Sequence, residues 1–259
     1  MKIALDEAAK IIGDAQTIIL TAHIRPDGDA IGSTLGLMHY LREQGKDARV
    51  LIDDEIPRIF NVLPGVEQIE RPAEGQRYAA DLLIVCDVEL KRTGAVLDAV
   101  DAVRVLNIDH HVTNDEAAEY LYLNPDYAAT CEIMHDLVRT MGRTFSLDAA
   151  TCFYTGMATD TGFFRFSNTT PHTMRAAADL VEVGVRPNII SVAMEMKSYD
   201  EVMAQVRAIR NLEMFYDGKV AAVFIDEERA KEVTTTEGLL DKLRVIEGTQ
   251  VVFFMKWLE

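Results

Sequence analysis

The sequence is poor in cysteine and in long apolar runs. Its three cysteines, Cys86, Cys131 and Cys152, are odd in number, widely spaced and without a CxxC pattern, which argues against a disulfide framework. We interpret all three as small buried hydrophobic residues. No apolar run approaches the roughly 20 residues that span a bilayer, and residues 1–7 lack the apolar core of a signal peptide. These features predict a cytoplasmic protein that is not associated with a membrane.

Basic residues are also scarce relative to acidic ones. The 259 residues include 26 Lys and Arg against 42 Asp and Glu, which gives a formal net charge of −16 at pH 7. This charge argues against a large surface that tracks the phosphates of long duplex DNA or RNA. Short RNA oligonucleotides or small phosphorylated nucleotides, neutralised locally by metal, are compatible with it.

Short apolar runs alternate with helix-compatible stretches in the first half of the chain. Runs rich in β-branched residues predict buried parallel strands over 17–22, 48–52, 81–86 and 102–108. Helical spacing lies between them over Ile31–Gln44 and Glu89–Ala99, with Gly45 as a helix stop. This order predicts an α/β fold with a doubly wound, mostly parallel sheet.

The rest of the chain is predicted to be helical and then to form a second, smaller α/β domain. Helices are expected at 130–141, 147–158, 172–183 and 199–212, with a short one after Pro187. A hairpin closed at Asp217-Gly218, a helix near Thr236–Glu247 and a strand over 249–257 follow. We predict a catalytic domain at 1–185, a linker at 186–198 and the smaller domain at 199–259. Because the last strand is so apolar, we expect the smaller domain to be incomplete.

Most candidate metal ligands follow predicted strands. They lie in four segments, His23 to Asp29, Cys86-Asp87, Asp109-His110-His111 and Asp160. Since the carboxyl ends of parallel strands meet at one edge of a sheet, we expect the side chains of the first three segments to converge there. Five carboxylates and three imidazoles at one place would repel strongly unless cations lay among them. The pattern therefore predicts a dinuclear metal centre.

The residue types also indicate a chemistry. Imidazole and carboxylate ligands without thiolate favour manganese, with magnesium or cobalt as alternatives, over a structural zinc. Two such ions about 3.5–4 Å apart activate water and stabilise both the attacking and the leaving oxygen of a phosphoryl displacement. The helix that begins near Asp29 to Ser33 points its amides towards the same crevice, which makes Ser33 a substrate-binding candidate. These features predict phosphoester hydrolysis.

The ligand segments resemble the motifs of the DHH phosphoesterase family. Four motifs occur in the family's order between residues 15 and 185: His23-x3-Asp27-x-Asp29, Asp87 after an apolar strand, Asp109-His110-His111, and Asp160-Thr161-Gly162. The resemblance implies two metal ions bridged by Asp87. It assigns one ion to His23, Asp27 and Asp87, and the other to Asp29, Asp87, His110 and Asp160. It also implies that His111 faces the substrate phosphate as a catalytic residue, while Asp109 orients a neighbouring imidazole.

One branch of this family is especially similar. The segment from Asp160 to Phe166, followed by Asn168-Thr169-Thr170-Pro171, resembles the small oligoribonuclease and nucleotide-phosphatase group. That resemblance implies manganese-dependent hydrolysis of short oligoribonucleotides and of 3′-phosphoadenosine 5′-phosphate. Arg165 is either a phosphate contact or an exposed strand residue. The group's C-terminal DHH-associated domain supplies a glycine-rich, histidine-ending motif and an arginine, neither of which we find here, so we expect that domain to be partial.

Several alternatives stay open at this stage. Cyclic-dinucleotide hydrolysis is disfavoured because no sensor or membrane segment is attached, and pyrophosphate hydrolysis because of the residues around Asp160. A nucleotide-binding module without turnover is a third alternative, which the missing C-terminal motif motivates. Taken singly, His23 or Asp87 is more often a cap or a strand-end hydrogen bond than a ligand, and only the joint pattern reverses that. The oligomeric state is not determined by the sequence, with a homodimer among the options.

Overall fold

The computed structural model describes residues 1–142, 144–226 and 238–257. The chain divides into two compact units, Met1–Met194 and Glu195–Glu259. The division falls inside the predicted linker 186–198, most of which is a helix rather than an extended segment. In the described ranges, no helix combines the length and the apolar character that a membrane crossing requires.

A five-stranded parallel sheet with the order β2-β1-β3-β4-β5 forms the centre of the first unit. Its strands are β1 (Thr17–Thr21), β2 (Asp47–Val50), β3 (Tyr78–Cys86), β4 (Val100–Asp109) and β5 (Tyr120–Leu123). The chain runs outward from β1 to β2 in one direction and from β3 to β5 in the other, so the switch point lies between β1 and β3. The prediction of a doubly wound, mostly parallel α/β fold is confirmed, although β5 was not predicted.

The sheet has apolar packing on both faces because its strands are apolar at successive positions. In β3, Leu82, Ile84 and Cys86 belong to one core cluster, whereas Leu83 and Val85 belong to another. This is the alternation that a strand imposes on its side chains. As predicted, the three cysteines are buried and free.

The helices described over residues 1–195 are α1 (Leu5–Asp14), α2 (Gly28–Glu43), α3 (Val96–Ala99), α4 (Thr130–Thr140), α5 (Leu147–Asp160), α6 (Pro171–Val183) and α7 (Pro187–Glu195). Three of them begin at a side-chain cap, which is Asp27 for α2, Ser146 for α5 and Thr170 for α6. Thr170 forms a capping box with Pro171 as the first residue of α6. The predicted helix over 89–99 is wrong: Gly94, at a φ of +62°, separates a 3₁₀ turn at Leu90–Arg92 from α3.

Glycines allow α2 and α5 to pack closely. A Cβ atom on Gly32 would lie 2.5 Å from the carbonyl oxygen of Cys152. Gly36 faces the ring of Phe153 in the same way, and on α5 Gly156 leaves no room for a side chain beside Cys131. This packing fixes the first turn of α2 relative to the last turn of α5, where candidate ligands lie.

The second unit contains a three-stranded sheet with the order β6-β7-β8. Its described elements are α8 (Tyr199–Ile209), β6 (Leu212–Phe215), β7 (Val220–Ile225), α9 (Leu239–Arg244) and β8 (Val251–Lys256). The antiparallel pair β6 and β7 confirms the predicted hairpin, and β8 pairs parallel to β7. One face of β7 packs against Ala204, Ala208, Leu239 and Leu243. The start of the helix predicted near Thr236 lies outside the described residues.

Candidate metal centre

The predicted ligands of the first unit come together at the carboxyl edge of the sheet. The loop from β1 into α2 carries His23, Asp27 and Asp29, Asp87 follows β3, and Asp109 ends β4 ahead of His110 and His111. Asp160 reaches the same place as the last residue of α5. The switch point between β1 and β3 opens a crevice at this edge, and the segments that follow the strands bring these side chains together there.

The first group of candidate ligands consists of His23, Asp27 and Asp87. The Nε2 atom of His23 is 3.7 Å from Asp27 Oδ1 and 3.7 Å from Asp87 Oδ2. Its Nδ1 atom lies 2.9 Å from the carbonyl oxygen of Ile24, to which it donates in the tautomer that leaves Nε2 as an acceptor. The ring is thus oriented for a cation bound at Nε2.

The second group consists of Asp29, His110 and Asp160. The Nε2 atom of His110 lies 3.3 Å from Asp160 Oδ2 and 3.9 Å from Asp29 Oδ2. Its Nδ1 atom is 3.1 Å from the carbonyl oxygen of Tyr127, which fixes the tautomer as in His23. Among the described residues Nε2 is buried without a hydrogen-bond partner. Since buried polar atoms are almost always paired, this lone pair fits a metal ligand.

Asp87 belongs to the first group and also lies next to the second. Its Oδ2 atom faces His23, while Oδ1 lies 3.5 Å from His110 Nε2 and accepts a hydrogen bond from the Thr130 hydroxyl at 3.0 Å. The residue is 2% exposed and has a φ of +64°, a conformation that aspartate adopts rarely. Both carboxylate oxygens are therefore placed to contact one group each.

The electrostatics of the cluster also fit cations. Burial, together with the charges of Asp29, Asp27 and Asp160, raises the pKa of Asp87 well above its usual range. Burial and the charges of Asp29 and Asp27 raise the pKa of Asp160 to about 9. Without a compensating cation the Asp160 carboxyl group would be protonated at neutral pH, and a divalent ion would favour the ionised form of both groups.

Asp29 is held by the N-terminus of α4. Its carboxylate is fully buried and accepts the backbone N–H groups of Thr130 at 2.6 Å and Cys131 at 2.8 Å. The positive end of the helix dipole stabilises the charge at this position. Sequence reasoning missed Thr130, which contacts both Asp29 and Asp87. Its place at a predicted helix start was a signal, but its partner Asp29 lies 101 residues away in the chain.

His111 and Asp109 form a hydrogen-bonded pair beside the cluster. The Nδ1 atom of His111 is 2.8 Å from Asp109 Oδ1, and this bond raises the pKa of His111. Burial opposes ionisation of Asp109, but the hydrogen bonds from His111 and Asn114 outweigh it and lower the pKa of Asp109. The His111 side chain is 46% exposed, so the ring is open to a ligand in the crevice. Asp87, His110 and His111 form a third group that could hold an ion.

The predicted substrate contacts are placed differently. Ser33 is fully buried inside α2, where its hydroxyl donates to the carbonyl oxygen of Ala30, so the structure does not bring it to the surface of the crevice. Arg165 is exposed in a turn that follows α5, not in a strand, and its Nε atom donates to the carbonyl oxygen of Gly162 at 2.7 Å. Phe163 and Phe164 in this turn both have positive φ angles. Of the two predicted substrate contacts, Arg165 is exposed and Ser33 is not.

Comparisons with known proteins identify a family and relatives of this chain. The N-terminal domain of the DHH family matches residues 17–157. The chain is 33% identical to the bifunctional oligoribonuclease and PAP phosphatase NrnA of Thermus thermophilus over 92% of this chain and 72% of that protein. It is 26% identical to the same-named protein of Bacillus subtilis over 96% of this chain and 81% of that protein.

A solved structure extends the similarity to the whole fold. The crystal structure of an exopolyphosphatase-related protein from Bacteroides fragilis superposes with a TM-score of 0.85 and 25% sequence identity. The superposition covers 95% of this chain and 77% of that one. The family match includes the loops that carry His23, Asp27, Asp29, Asp87, His110 and His111. The chain is therefore a member of the DHH family.

Proposed function

We propose that this chain is a metal-dependent phosphoesterase that hydrolyses short oligoribonucleotides and removes the 3′-phosphate of 3′-phosphoadenosine 5′-phosphate. One observation carries the proposal: two groups of imidazole and carboxylate side chains, each with its donor atoms within 4.8 Å of one another, adjoin at Asp87. Asp87 belongs to the first group, and its Oδ1 atom lies 3.5 Å from His110 Nε2 of the second. The names of the two NrnA relatives support the choice of substrates.

We assign two divalent ions to these groups, with manganese as the metal. His23, Asp27 and Asp87 hold one ion; Asp29, Asp87, His110 and Asp160 hold the other. When bound, such ions supply Lewis-acid chemistry that activates water and offsets the charge of a phosphate. The donor set of oxygen and nitrogen atoms supports manganese over a structural zinc.

His111 is the proposed catalytic residue. Because Asp109 accepts from Nδ1, the protonated ring presents Nε2–H to the crevice, where it can stabilise a phosphate oxygen or donate its proton to the leaving oxygen. The hydrogen bond to Asp109 raises the pKa of His111 and so favours the protonated form. Arg165 is the proposed phosphate contact at the rim, with a guanidinium suited to paired hydrogen bonds.

We further assign residues 199–259 to substrate binding and the protein to the cytoplasm. The alignment with the Bacillus subtilis relative, which covers 96% of this chain, supports a shared role for the smaller unit. Removing that unit is expected to weaken binding of a trinucleotide more than binding of manganese, because all the assigned metal ligands lie in residues 1–194.

The proposal is tested by incubating the chain with manganese and either a labelled RNA trinucleotide or 3′-phosphoadenosine 5′-phosphate. We expect product release that a chelator abolishes. Asp87→Ala should abolish turnover because the side chain contacts both ligand groups, whereas Asp148→Asn, at an exposed position in α5, should leave it unchanged. Turnover by Asp87→Ala above about a tenth of wild type would contradict the bridging role of Asp87.

A cyclic dinucleotide should be included as a competing substrate. Faster hydrolysis of that substrate than of the trinucleotide would replace the proposed function with cyclic-dinucleotide hydrolysis. Tight nucleotide binding with bound manganese and no turnover of any substrate would identify a nucleotide-binding module instead.

A further inference from the structure

A buried asparagine holds the turn that carries Asp87. Asn107 lies in β4 beside the end of β3 and is 1% exposed. Its side-chain amide donates to the carbonyl oxygens of Val85 at 2.9 Å and Val88 at 2.8 Å. These two carbonyl groups flank Asp87 on either side in the chain.

The turn requires such support. Asp87 has a φ of +64°, which is uncommon outside glycine although aspartate adopts it more readily than most residues, and contacts from neighbours stabilise it. Its own N–H donates to the carbonyl oxygen of Ile108 at 3.0 Å. Strand β4 thus contacts the turn before, at and after Asp87, and two of those three contacts come from the side chain of Asn107.

A second asparagine links this support to the His111 pair. The Nδ2 atom of Asn114 donates to Asn107 Oδ1 at 2.9 Å and to Asp109 Oδ2 at 2.6 Å. Asp109 in turn accepts from His111 at its other oxygen. Both N–H groups and the oxygen of the Asn107 side-chain amide therefore have hydrogen-bond partners, which fixes the orientation of the amide.

We propose that Asn107 and Asn114 are positioning residues that connect the Asp87 turn to the Asp109–His111 pair. They fix the position of the bridging Asp87 carboxylate relative to the His111 imidazole, which faces the phosphate. This inference rests on the proposed function. Asn107 acts through Asp87 and therefore on metal binding. Asn114 acts through Asp109 and therefore on the orientation of His111. Removing a group that orients a metal ligand by hydrogen bonding typically lowers metal affinity or activity by about 10–100-fold.

The test for Asn107 compares metal binding with stability. Asn107→Leu keeps the side-chain size but removes both donors, so we expect calorimetric titration with manganese to give an affinity about 10–100-fold weaker than wild type. Val138→Ala, at a fully buried position in α4, serves as the matched control. We expect it to lower the melting temperature of the metal-free chain without changing manganese affinity. Equal manganese affinities of Asn107→Leu and wild type would overturn the role of Asn107.

The test for Asn114 separates chemistry from binding. Asn114→Ala removes the donor to Asp109 Oδ2, so we expect kcat on the labelled trinucleotide to fall about 10-fold and its pH dependence to shift, with KM and manganese affinity near wild type. Should Asn107→Leu fail to fold, this variant still tests the positioning role of Asn114 at Asp109 and His111. A lower melting temperature with unchanged kcat and pH profile would identify a merely structural role. A wild-type chain that binds no manganese would overturn the proposed function, and the positioning role with it.

Discussion

At the scale of single residues, His111 has two neighbours that indicate different roles. Its Nδ1 atom donates to Asp109 at 2.8 Å but also lies 3.6 Å from Asp87 Oδ1. The shorter contact is a hydrogen bond and the longer one is not, so the ring is oriented by Asp109. The proposed substrate contact is therefore Nε2, and His111 belongs neither to the group of His23, Asp27 and Asp87 nor to the group of Asp29, His110 and Asp160.

His111→Ala tests this interpretation. We expect the variant to bind as much manganese as wild type while the chemical step slows by about 10²–10⁴-fold, since general acid catalysis contributes that much. Metal content by atomic absorption and single-turnover hydrolysis of the trinucleotide measure the two effects separately. Loss of bound manganese would show that His111 is a ligand, as in the group formed by Asp87, His110 and His111.

At the scale of secondary structure, the site depends on how closely α2 approaches α5. Gly28, Gly32 and Gly36 are spaced four apart and therefore lie on one face of α2. A side chain at any of them would meet α5. The spacing places Asp29, in the first turn of α2, within reach of the group that includes Asp160. A change in this packing should alter both stability and metal binding.

Gly32→Ala is the corresponding prediction. The new Cβ atom would lie 2.5 Å from the carbonyl oxygen of Cys152, so the helices must separate, and we expect a loss of about 1–3 kcal/mol in the free energy of unfolding. Gly13→Ala in α1 meets nothing within 4 Å and should be neutral or stabilising by up to about 1 kcal/mol. Urea denaturation measures both. Equal stability of the two variants would contradict the close packing of α2 and α5.

At the scale of the whole molecule, the fold brings together buried carboxyl groups whose ionised forms are unfavourable without a cation. The pKa of Asp160 stands at about 9 and that of Asp87 is also raised, against about 3.9 for an aspartate in an unfolded chain. Between those values the folded state binds more protons than the unfolded state. The contribution of these two groups to the stability of the metal-free chain is therefore fully present below about pH 4 and is lost as the pH rises towards about 9.

Thermal melts in chelator and in manganese test this linkage. We expect the melting temperature of the metal-free chain to fall between about pH 5 and about pH 8, and the increase produced by manganese to grow over the same range, because ions bind the deprotonated carboxylates. Asp160→Asn lacks one of the titrating groups and should show a smaller fall. A melting temperature in chelator that rises steadily with pH would contradict the raised pKa values.

Much of this organisation was predictable before the fold was known. The apolar runs predicted four of the five strands of the large sheet because buried parallel strands need apolar residues on both faces. Strand β5 was missed: Tyr120–Leu123 lies at the edge of the sheet, and Leu121 alone in it is fully buried. The helix predicted over 89–99 failed at Gly94, where a positive φ overrides helical spacing. Ser33 was assigned to substrate binding from its place near the start of α2, but the packing of that helix buries it.

The sequence by itself determined the fold class, the order of the motifs and the set of candidate ligands, since these depend on residue types and on local periodicity. Only the tertiary structure decided which oxygen of Asp87 faces which histidine, that the N-terminus of α4 holds Asp29, and that Asn107 supports the Asp87 turn. Each of those contacts joins residues far apart in the chain. Their geometry follows from strand order and helix packing, which local sequence patterns do not encode.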